Sequence, residues 1–177
     1  MNPTVLEKAR NIQCLICDLD GVLTDGRLYY GEEGEIVKAF HCHDGVGLKN
    51  LMSFGIEVAI ITTAKTPIVD TRMQALDITH VYTGQKNKLA AFEDLVSRLQ
   101  HPLTDFAMIG DDLPDLPLFA RCGLSVAVAN ANPAVKALAD WTTHAHGGNG
   151  AVRELSDLIL TAKGLHQQLI DSYRNAV

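Results

Sequence analysis

Short apolar runs rich in β-branched residues alternate with segments of helical periodicity along this chain. Runs at residues 12–19, 56–62, 106–109 and 124–129 predict strands, and helical patterns lie between them. Near-continuous apolar strands are typical of a parallel sheet that helices cover on both faces. The sequence therefore predicts an α/β fold of the Rossmann-like, three-layer α/β/α kind. Because no repeat or linker interrupts the pattern, we expect a single domain over residues 1–177.

Two segments stand outside this alternation. Residues 27–40 carry two short β-rich runs around a loop with glycines at 31 and 34, which predicts a β-hairpin flap after the first strand. Residues 165–177 form a polar C-terminal tail for which the pattern predicts no element. Asp44 stands at the start of the helical pattern that follows the hairpin, so we expect it to be the N-cap of that helix.

The charge balance limits the partners of the chain. It has 15 Lys and Arg against 21 Asp and Glu, a net charge of -6. Nucleic acid needs clustered cations to neutralise its phosphates, so we expect no nucleic-acid partner. A small anionic substrate is compatible with this charge, because a local site can oppose the overall field. No apolar run approaches about 18 residues, so we expect no membrane partner.

Cysteine usage indicates the compartment. The chain has four cysteines, and two of them, Cys14 and Cys17, lie three residues apart in the first predicted strand. Residues three apart on a strand point to opposite faces, which favours buried free thiols over a metal or redox pair. Free thiols and the lack of a recognisable targeting segment predict a cytoplasmic protein.

Polar side chains gather where the predicted strands end. Asp18 and Asp20 follow the first strand, and residues two apart on an extended chain share a face. The other polar groups end a later strand or open a helix: Thr62, Lys88, Asp111 and Asp112. Ligand sites of parallel sheets lie off the carboxyl ends of the strands, so we expect these side chains to share one crevice.

This set of residue types suits phosphoryl transfer. Clustered carboxylates repel one another unless a cation intervenes, and oxygen donors indicate magnesium. A magnesium ion beside an ammonium and a hydroxyl can bind a phosphoryl group and neutralise its charge. One carboxylate can then attack phosphorus while a second transfers protons. Each motif alone is weak, because Asp and Gly are ordinary turn residues, and only their joint occurrence is specific.

Four motifs resemble those of the haloacid dehalogenase superfamily. They are Asp18-Leu19-Asp20-Gly21-Val22-Leu23-Thr24-Asp25, then Ile60-Ile61-Thr62, then Lys88, and Gly110-Asp111-Asp112-Leu113-Pro114-Asp115. Further similarity, at Asp44-Gly45, residues 84–89, 123–129 and 147–154, is to members that act on an eight-carbon ulosonic acid phosphate. The resemblance spans about residues 10–162 and implies the superfamily's magnesium-dependent chemistry.

The resemblance implies a role for each matching residue. Asp18 would be the nucleophile and Asp20 the general acid and base. Thr62 and Lys88 would hold the phosphoryl oxygens. The magnesium ion would be held by the Asp18 carboxylate, the backbone carbonyl of Asp20 and Asp111, and Asp112 would support the metal site.

The resemblance also implies an assembly. The intervals between the motifs leave no room for a cap domain, so the fold would be capless. The similar phosphatases are homotetramers in which the hairpin and the C-terminal tail close the site of a neighbouring subunit. Residues 27–40 and 165–177 match those parts of the chain.

The implied reaction is hydrolysis of 3-deoxy-D-manno-octulosonate 8-phosphate in lipopolysaccharide precursor synthesis. This chain departs from the group's usual pattern, with Thr63-Ala64 where Gly-Arg is usual and with His43 and Asn149 at positions that can carry arginine. These positions lie where the sugar acid should bind, so the substrate stays open. The candidate substrate residues are His43, Lys65 and Arg72, and the alternative substrate is a nine-carbon ulosonic acid 9-phosphate.

Two non-enzymatic classes share part of this pattern. A phospho-receiver domain also gathers Asp, Thr and Lys around magnesium, but its phosphorylated Asp ends a later strand than its acidic pair. Here Asp20 stands two residues after the candidate nucleophile, where it would hydrolyse a stable phospho-switch. A catalytically silent scaffold is the second alternative. Magnesium-dependent phosphate release from an aryl phosphate distinguishes an enzyme from both.

Overall fold

The computed structural model describes residues 2–175. The helices are α1 (Pro3–Asn11), α2 (Cys42–Ser53), α3 (Pro67–Ala75), α4 (Lys88–Leu99), α5 (Leu116–Phe119), α6 (Pro133–Leu138), α7 (Ala151–Ala162) and α8 (His166–Asn175). The strands are β1 (Cys14–Cys17), β2 (Tyr29–Gly31), β3 (Gly34–Val37), β4 (Glu57–Ile61), β5 (His80–Tyr82), β6 (Phe106–Gly110), β7 (Leu124–Ala127) and β8 (Trp141–Thr142). Single 3-10 turns lie at Leu103–Asp105 and Leu113–Asp115.

Six of the strands form one parallel sheet in the order β5-β4-β1-β6-β7-β8. β1 is central, and Cys14 pairs with Glu57 of β4 on one side and with Phe106 of β6 on the other. Helices α1, α2 and α7 pack together in one layer, and α4 packs with α5 in the other. The predicted α/β fold with a parallel sheet is confirmed, and the carboxyl ends of β1, β4 and β6 meet at one edge.

The central strands are buried over their whole length, as their apolar sequences predict. All residues of β1 and β6 are inaccessible to solvent or nearly so. Cys14 and Cys17 are free thiols within this core, and burial raises the pKa of each. Every helix within residues 2–175 is too short or too polar to cross a bilayer.

Two helices begin at side-chain N-caps. The Thr66 hydroxyl accepts a hydrogen bond from the backbone N–H of Ile68 (3.4 Å), ahead of Pro67 at the first helical position of α3. The Asn87 side chain accepts from the N–H of Leu89 (3.1 Å) and so begins α4. This second cap places Lys88 in the first turn of α4, facing the sheet.

Two helices lie where the sequence predicts none. α1 begins after Asn2, whose side chain accepts from the N–H of Thr4 (3.0 Å), and it buries Val5 and Ala9. α8 occupies most of the polar tail and buries only Leu169. Both helices have an apolar side, but the mean hydropathy of each segment is low, so each resembles a polar terminal segment in the sequence.

The predicted N-cap role of Asp44 in α2 is wrong. α2 begins at Cys42, so Asp44 lies in its first turn, and its buried side chain points toward α7 instead. The Asp44 carboxylate accepts from the N–H groups of Gly150 (3.2 Å) and Arg153 (2.8 Å). It therefore caps the N-terminus of a helix more than a hundred residues away in the chain, which local sequence cannot reveal.

Residues 27–40 contain an antiparallel hairpin of β2 and β3, which stands apart from the main sheet. The pairing of its two strands shifts in register between Tyr29 and Tyr30. Tyr30 and Ile36 are 69% and 63% exposed. The hairpin therefore presents an uncovered apolar surface.

Candidate active site

A cavity of about 310 Å³ opens at the carboxyl ends of the central strands. It collects residues from the loops after β1, β4 and β6 and from the start of α4, as the strand-end argument predicts. Its lining comprises Asp18, Asp20, Gly21, Gly26, Leu28, Thr63, Lys88, Asp111, Asp112 and Pro114.

The innermost polar group is a buried ammonium held between two carboxylates. Lys88 Nζ lies 2.8 Å from Asp18 Oδ1 and 2.7 Å from Asp115 Oδ1. The Lys88 and Asp115 side chains are buried, and that of Asp18 is nearly so. Because two carboxylates face it, the pKa of Lys88 is raised even though burial opposes its charge. The ammonium is thus fixed beside the carboxylate that ends β1.

Asp115 was part of a motif in the sequence, but the sequence reasoning gave it no role. Its Oδ1 accepts a hydrogen bond from Lys88. Its Oδ2 accepts hydrogen bonds from the N–H groups of Asp111 (3.0 Å) and Asp112 (3.3 Å). One buried carboxylate therefore orients both the ammonium and the acidic loop after β6. The available signal was an Asp one turn beyond the Asp111-Asp112 pair, at the start of α5.

Lys88 balances only part of the negative charge of the carboxyls nearest the cavity. Burial, reinforced by Asp115 and opposed by Lys88, raises the pKa of Asp18 to about 6. Burial and the charges of Asp18 and Asp115 raise the pKa of Asp111 to about 7. A single ammonium does not balance these acids, so the site gains from an additional cation.

The donor set fits a hard divalent cation. One oxygen from each of Asp18, Asp111 and Asp115 lies within 4.8 Å of the other two. All three donors are carboxylates, which suit magnesium rather than a thiolate- or imidazole-seeking metal. Asp18 and Asp111 line the cavity, whereas Asp115 is already engaged by Lys88 and two N–H groups, so the first two are the carboxylates that could hold the ion.

Asp20 lies at the mouth of the cavity and not in this oxygen cluster. Its Oδ1 is 2.6 Å from Lys38 Nζ, and the Thr24 hydroxyl donates to the same oxygen over 3.4 Å. Lys38 also binds Glu35 of the hairpin at 2.6 Å. Sequence patterns predict no role for Lys38, whose one signal is its position as a lysine within the apolar run 36–40.

Thr62 directly follows β4, is buried, and does not line the cavity. Its hydroxyl accepts a hydrogen bond from the N–H of Ala64 (3.1 Å) and so shapes the turn after the strand. The neighbouring Thr63 is the residue of this loop that lines the cavity. Phosphate binding by Thr62 stays a prediction.

The three candidate substrate residues lie in different places. Lys65 lines a second cavity of about 550 Å³ between the hairpin and the loop after β4, which shares Asp20 with the first. Arg72 lies instead against the ring of Phe40, with its guanidinium carbon 5.5 Å from the ring centroid. His43 is exposed on α2 beside His41, with ring centroids 5.0 Å apart. Only Lys65 shares a cavity with a predicted catalytic residue.

The fold and the carboxylate cluster at its central strand ends define the class of protein. A family model described as haloacid dehalogenase-like hydrolase matches residues 56–155. Together with relatives of high identity over most of the chain, this match shows that the chain belongs to the haloacid dehalogenase-like hydrolases. The resemblance read from the four motifs is confirmed.

Similar proteins of known description narrow the class of hydrolase. The chain is 49% identical over 164 residues to the 3-deoxy-D-manno-octulosonate 8-phosphate phosphatase of Salmonella typhimurium, covering 93% of this chain and 87% of that one. A HAD superfamily (subfamily III A) hydrolase of Legionella pneumophila superposes with a TM-score of 0.93 at 54% identity, covering 97% and 94% of the two chains.

A third relative was solved with ligands. The 3-deoxy-D-manno-octulosonate 8-phosphate phosphatase of Moraxella catarrhalis superposes with a TM-score of 0.92 at 40% identity, covering 96% of this chain and 97% of that one. That structure is a complex with a magnesium ion, a phosphate ion and a molecule of the sugar acid.

Proposed function

We propose that this chain is a magnesium-dependent phosphomonoesterase that hydrolyses 3-deoxy-D-manno-octulosonate 8-phosphate to the free sugar acid and phosphate. The observation that carries the proposal is the buried Asp18–Lys88–Asp115 cluster at the end of the central strand. It occurs in a chain 49% identical to a phosphatase of that ester. The reaction belongs to the synthesis of lipopolysaccharide precursors.

In the first step, an Asp18 carboxylate oxygen attacks phosphorus and forms an acyl phosphate. The ester P–O bond breaks, and its electron pair stays on the leaving sugar oxygen. Asp20 gives that oxygen its proton, so the sugar acid departs as an alcohol. Lys88, fixed 2.8 Å from Asp18, is positioned to neutralise charge on the phosphoryl oxygens.

In the second step, Asp20, now ionised, accepts a proton from a water molecule that attacks the phosphorus of the aspartyl phosphate. The bond between Asp18 and phosphorus breaks, inorganic phosphate leaves, and both aspartates return to their starting states. Asp20 is accessible enough for this exchange, because its side chain is 30% exposed at the mouth of the cavity.

Asp18, Asp111 and the backbone carbonyl of Asp20 would hold the magnesium ion, with Asp112 supporting the site. When bound, the ion supplies charge neutralisation at the phosphoryl group. The raised pKa values of Asp18 (about 6) and Asp111 (about 7) support this assignment, because a cation removes the repulsion that raises them.

The second cavity is suited to the sugar acid. It adjoins Asp20, and the Lys65 ammonium on its wall is a match for the carboxylate of an ulosonic acid. Parallel turnover measurements on the eight-carbon 8-phosphate and a nine-carbon 9-phosphate decide the substrate. We expect the eight-carbon ester to have the higher kcat/KM; preference for the nine-carbon ester would replace it with the alternative substrate.

We also propose that the chain forms a homotetramer in the cytoplasm, with residues 27–40 and 165–177 closing the site of a neighbouring subunit. The exposed apolar side chains of the hairpin, Tyr30 and Ile36 among them, support an assembled state. The four free cysteines support a reducing compartment. A monomer with full activity in light scattering and turnover assays would discard closure by a neighbour.

The test of the reaction is the substitution Asp18→Asn. An amide cannot attack phosphorus, so we expect turnover of the sugar acid phosphate to fall by at least about 10⁴-fold while the fold persists. Asp70→Asn is the matched control: Asp70 is an exposed residue of α3, and this variant should retain wild-type rates. Wild-type rates for Asp18→Asn would remove Asp18 from the nucleophile role.

The same assay separates the non-enzymatic classes. We expect magnesium-dependent release of phosphate from an aryl phosphate over many turnovers. A long-lived phosphoprotein without turnover would favour a receiver, and no phosphorylation at all would favour a silent scaffold.

A further inference from the structure

The hairpin reaches the active site through one buried lysine. The Lys38 side chain, immediately after β3, is only 1% exposed. Its Nζ lies 2.6 Å from Oδ1 of Asp20 and 2.6 Å from Oε1 of Glu35. Glu35 belongs to β3, whereas Asp20 belongs to the loop after β1. The ammonium thus joins the flap to the loop that carries the proposed acid and base.

A second contact orients the same carboxylate. The Thr24 hydroxyl accepts hydrogen bonds from the N–H groups of Gly21 and Gly26, each 3.3 Å away. Its single proton is therefore left to donate to Asp20 Oδ1, 3.4 Å away. Lys38 and Thr24 therefore both donate hydrogen bonds to Oδ1 of Asp20. Within residues 2–175, Oδ2 of Asp20 has no hydrogen-bond partner and is the oxygen left for the reacting atoms.

Stability alone is a poor reason for this lysine. Burying an ammonium costs several kcal/mol, and a well-packed apolar residue in place of a buried ion pair is often neutral or stabilising. The neighbours of Lys38 along the chain, Val37 and Ala39, are apolar, so an apolar side chain would suit the sequence context. The charge is therefore better explained by what it does to Asp20.

We propose that Lys38 is a positioning residue: its ammonium, anchored on Glu35 of the hairpin, holds Oδ1 of Asp20 so that Oδ2 exchanges the proton with the leaving oxygen and then with water. The inference rests on the proposed function, in which Asp20 is the acid and base. Lys38 touches neither phosphorus nor the leaving oxygen in this arrangement, and it acts through Asp20. The hairpin then contributes to catalysis through Lys38, in addition to presenting an exposed apolar surface.

The test compares esters whose leaving groups differ in their need for a proton. 4-Nitrophenolate departs without protonation, whereas phenolate and the sugar alkoxide need it increasingly. In single-turnover measurements with excess enzyme, we expect Lys38→Met to slow leaving-group release from the sugar acid phosphate and from phenyl phosphate by about 100-fold. Release from 4-nitrophenyl phosphate should change by less than about threefold, because that step does not use the acid.

Two further variants complete the series. Lys38→Arg restores a cation and should recover most of the rate with phenyl phosphate. Lys49→Met is the matched control. Lys49 lies on α2 and forms an exposed ion pair with Asp77 (2.8 Å), and its loss should leave the rates of leaving-group release from all three substrates unchanged. Equal losses on all substrates in Lys38→Met, or no loss on any, would overturn the proposal.

A second variant tests the proposal if Lys38→Met does not fold. Should circular dichroism show that Lys38→Met is unfolded, Glu35→Gln provides the same ratio, because it keeps the ammonium but loosens its anchor on the hairpin. Equal effects of Glu35→Gln on phenyl and 4-nitrophenyl phosphate would then overturn it. The outcome is separate from the proposed substrate, since wild-type turnover of the sugar acid phosphate tests that substrate and the aryl pair tests Lys38.

Discussion

At the scale of single residues, the buried Asp115 carboxylate orients two other parts of the site, Lys88 and the backbone of the loop after β6. It is 1% exposed and binds Lys88 through one oxygen and two backbone N–H groups through the other. A carboxylate used in this way fixes the ligand loop and the ammonium without itself facing the cavity. Groups behind metal ligands typically contribute 10- to 100-fold to affinity or activity.

We expect Asp115→Asn to weaken magnesium binding by about 10- to 100-fold, because an amide has one acceptor oxygen where the carboxylate uses two. Isothermal titration of the purified chain with magnesium chloride measures this directly. Asp70→Asn on exposed α3 is the control. Magnesium affinity equal to that of the wild type in Asp115→Asn would show that the loop keeps its shape without this carboxylate.

The sequence could identify the residues at strand ends but not those that support them. Asp18, Asp20, Lys88, Asp111 and Asp112 were predicted to share a crevice because parallel strands align their carboxyl ends, and all five line the cavity. The roles of Asp115 and Lys38 depend on contacts between distant segments, such as Lys38 with Asp20. Thr62 does not line the cavity because strand-end position alone does not fix where a side chain points. His43 and Arg72 lie on α2 and α3, away from the strand ends, and do not line it either.

At the scale of elements, a side chain of α2 caps the N-terminus of α7. Asp44 of α2 accepts hydrogen bonds from the first N–H groups of α7 at Gly150 and Arg153. The helices also approach closely, because a side chain at Gly47 would meet the backbone of Arg153, 3.1 Å away. Burial raises the pKa of Asp44, although those N–H groups lower it.

We expect Asp44→Ala to lower the free energy of unfolding by about 1–3 kcal/mol, because it leaves buried N–H groups at the start of α7 without a partner. Urea denaturation followed by circular dichroism measures the loss. Asp44→Asn keeps an acceptor and should lose less. An unchanged midpoint in Asp44→Ala would contradict the capping role.

Elements with strong local signals were predictable, and those without were not. The caps of α3 and α4 are local signals, because Thr66 and Asn87 stand directly before the helices that they cap. α8 was not, because its docking depends on Leu169 and on a hydrogen bond from the Tyr173 hydroxyl to Asn50 (2.9 Å). Local periodicity therefore specifies the layers of the fold, whereas the docking of the tail is a tertiary property.

At the scale of the whole molecule, the site makes stability depend on pH and on magnesium. The Asp18 and Asp111 carboxyls have pKa values raised from 3.8 to about 6 and about 7. The folded chain therefore binds more protons than the unfolded chain between about pH 4 and pH 7. In that range the metal-free protein loses stability as pH rises.

We expect the free energy of unfolding of the metal-free protein to fall by on the order of 1 kcal/mol from pH 5 to pH 7, after allowance for solvent screening. Asp111→Asn should flatten the curve, because it removes one of the two titrating groups. Urea titrations in chelator at each pH measure the slope. A rise over this range in the wild type, or a fall of the same size in Asp111→Asn, would contradict the assignment.

Magnesium should reverse this dependence. The ion binds the ionised carboxyls, so its stabilising effect grows as pH rises. At 100 times its dissociation constant it adds about 2.7 kcal/mol if it binds only the folded chain. The same urea titrations with magnesium chloride in place of chelator provide the comparison.

The central place of β1 in the sheet has a consequence for synthesis of the chain on the ribosome. β1 emerges early and finds β4 as its first neighbour, but its other neighbour, β6, is translated only after β5 and α4. Throughout that interval one edge of an entirely apolar strand is open, and open edges of this kind recruit strands from other chains. We therefore expect the pace of translation between β4 and β6 to set how long each nascent chain is vulnerable to aggregation.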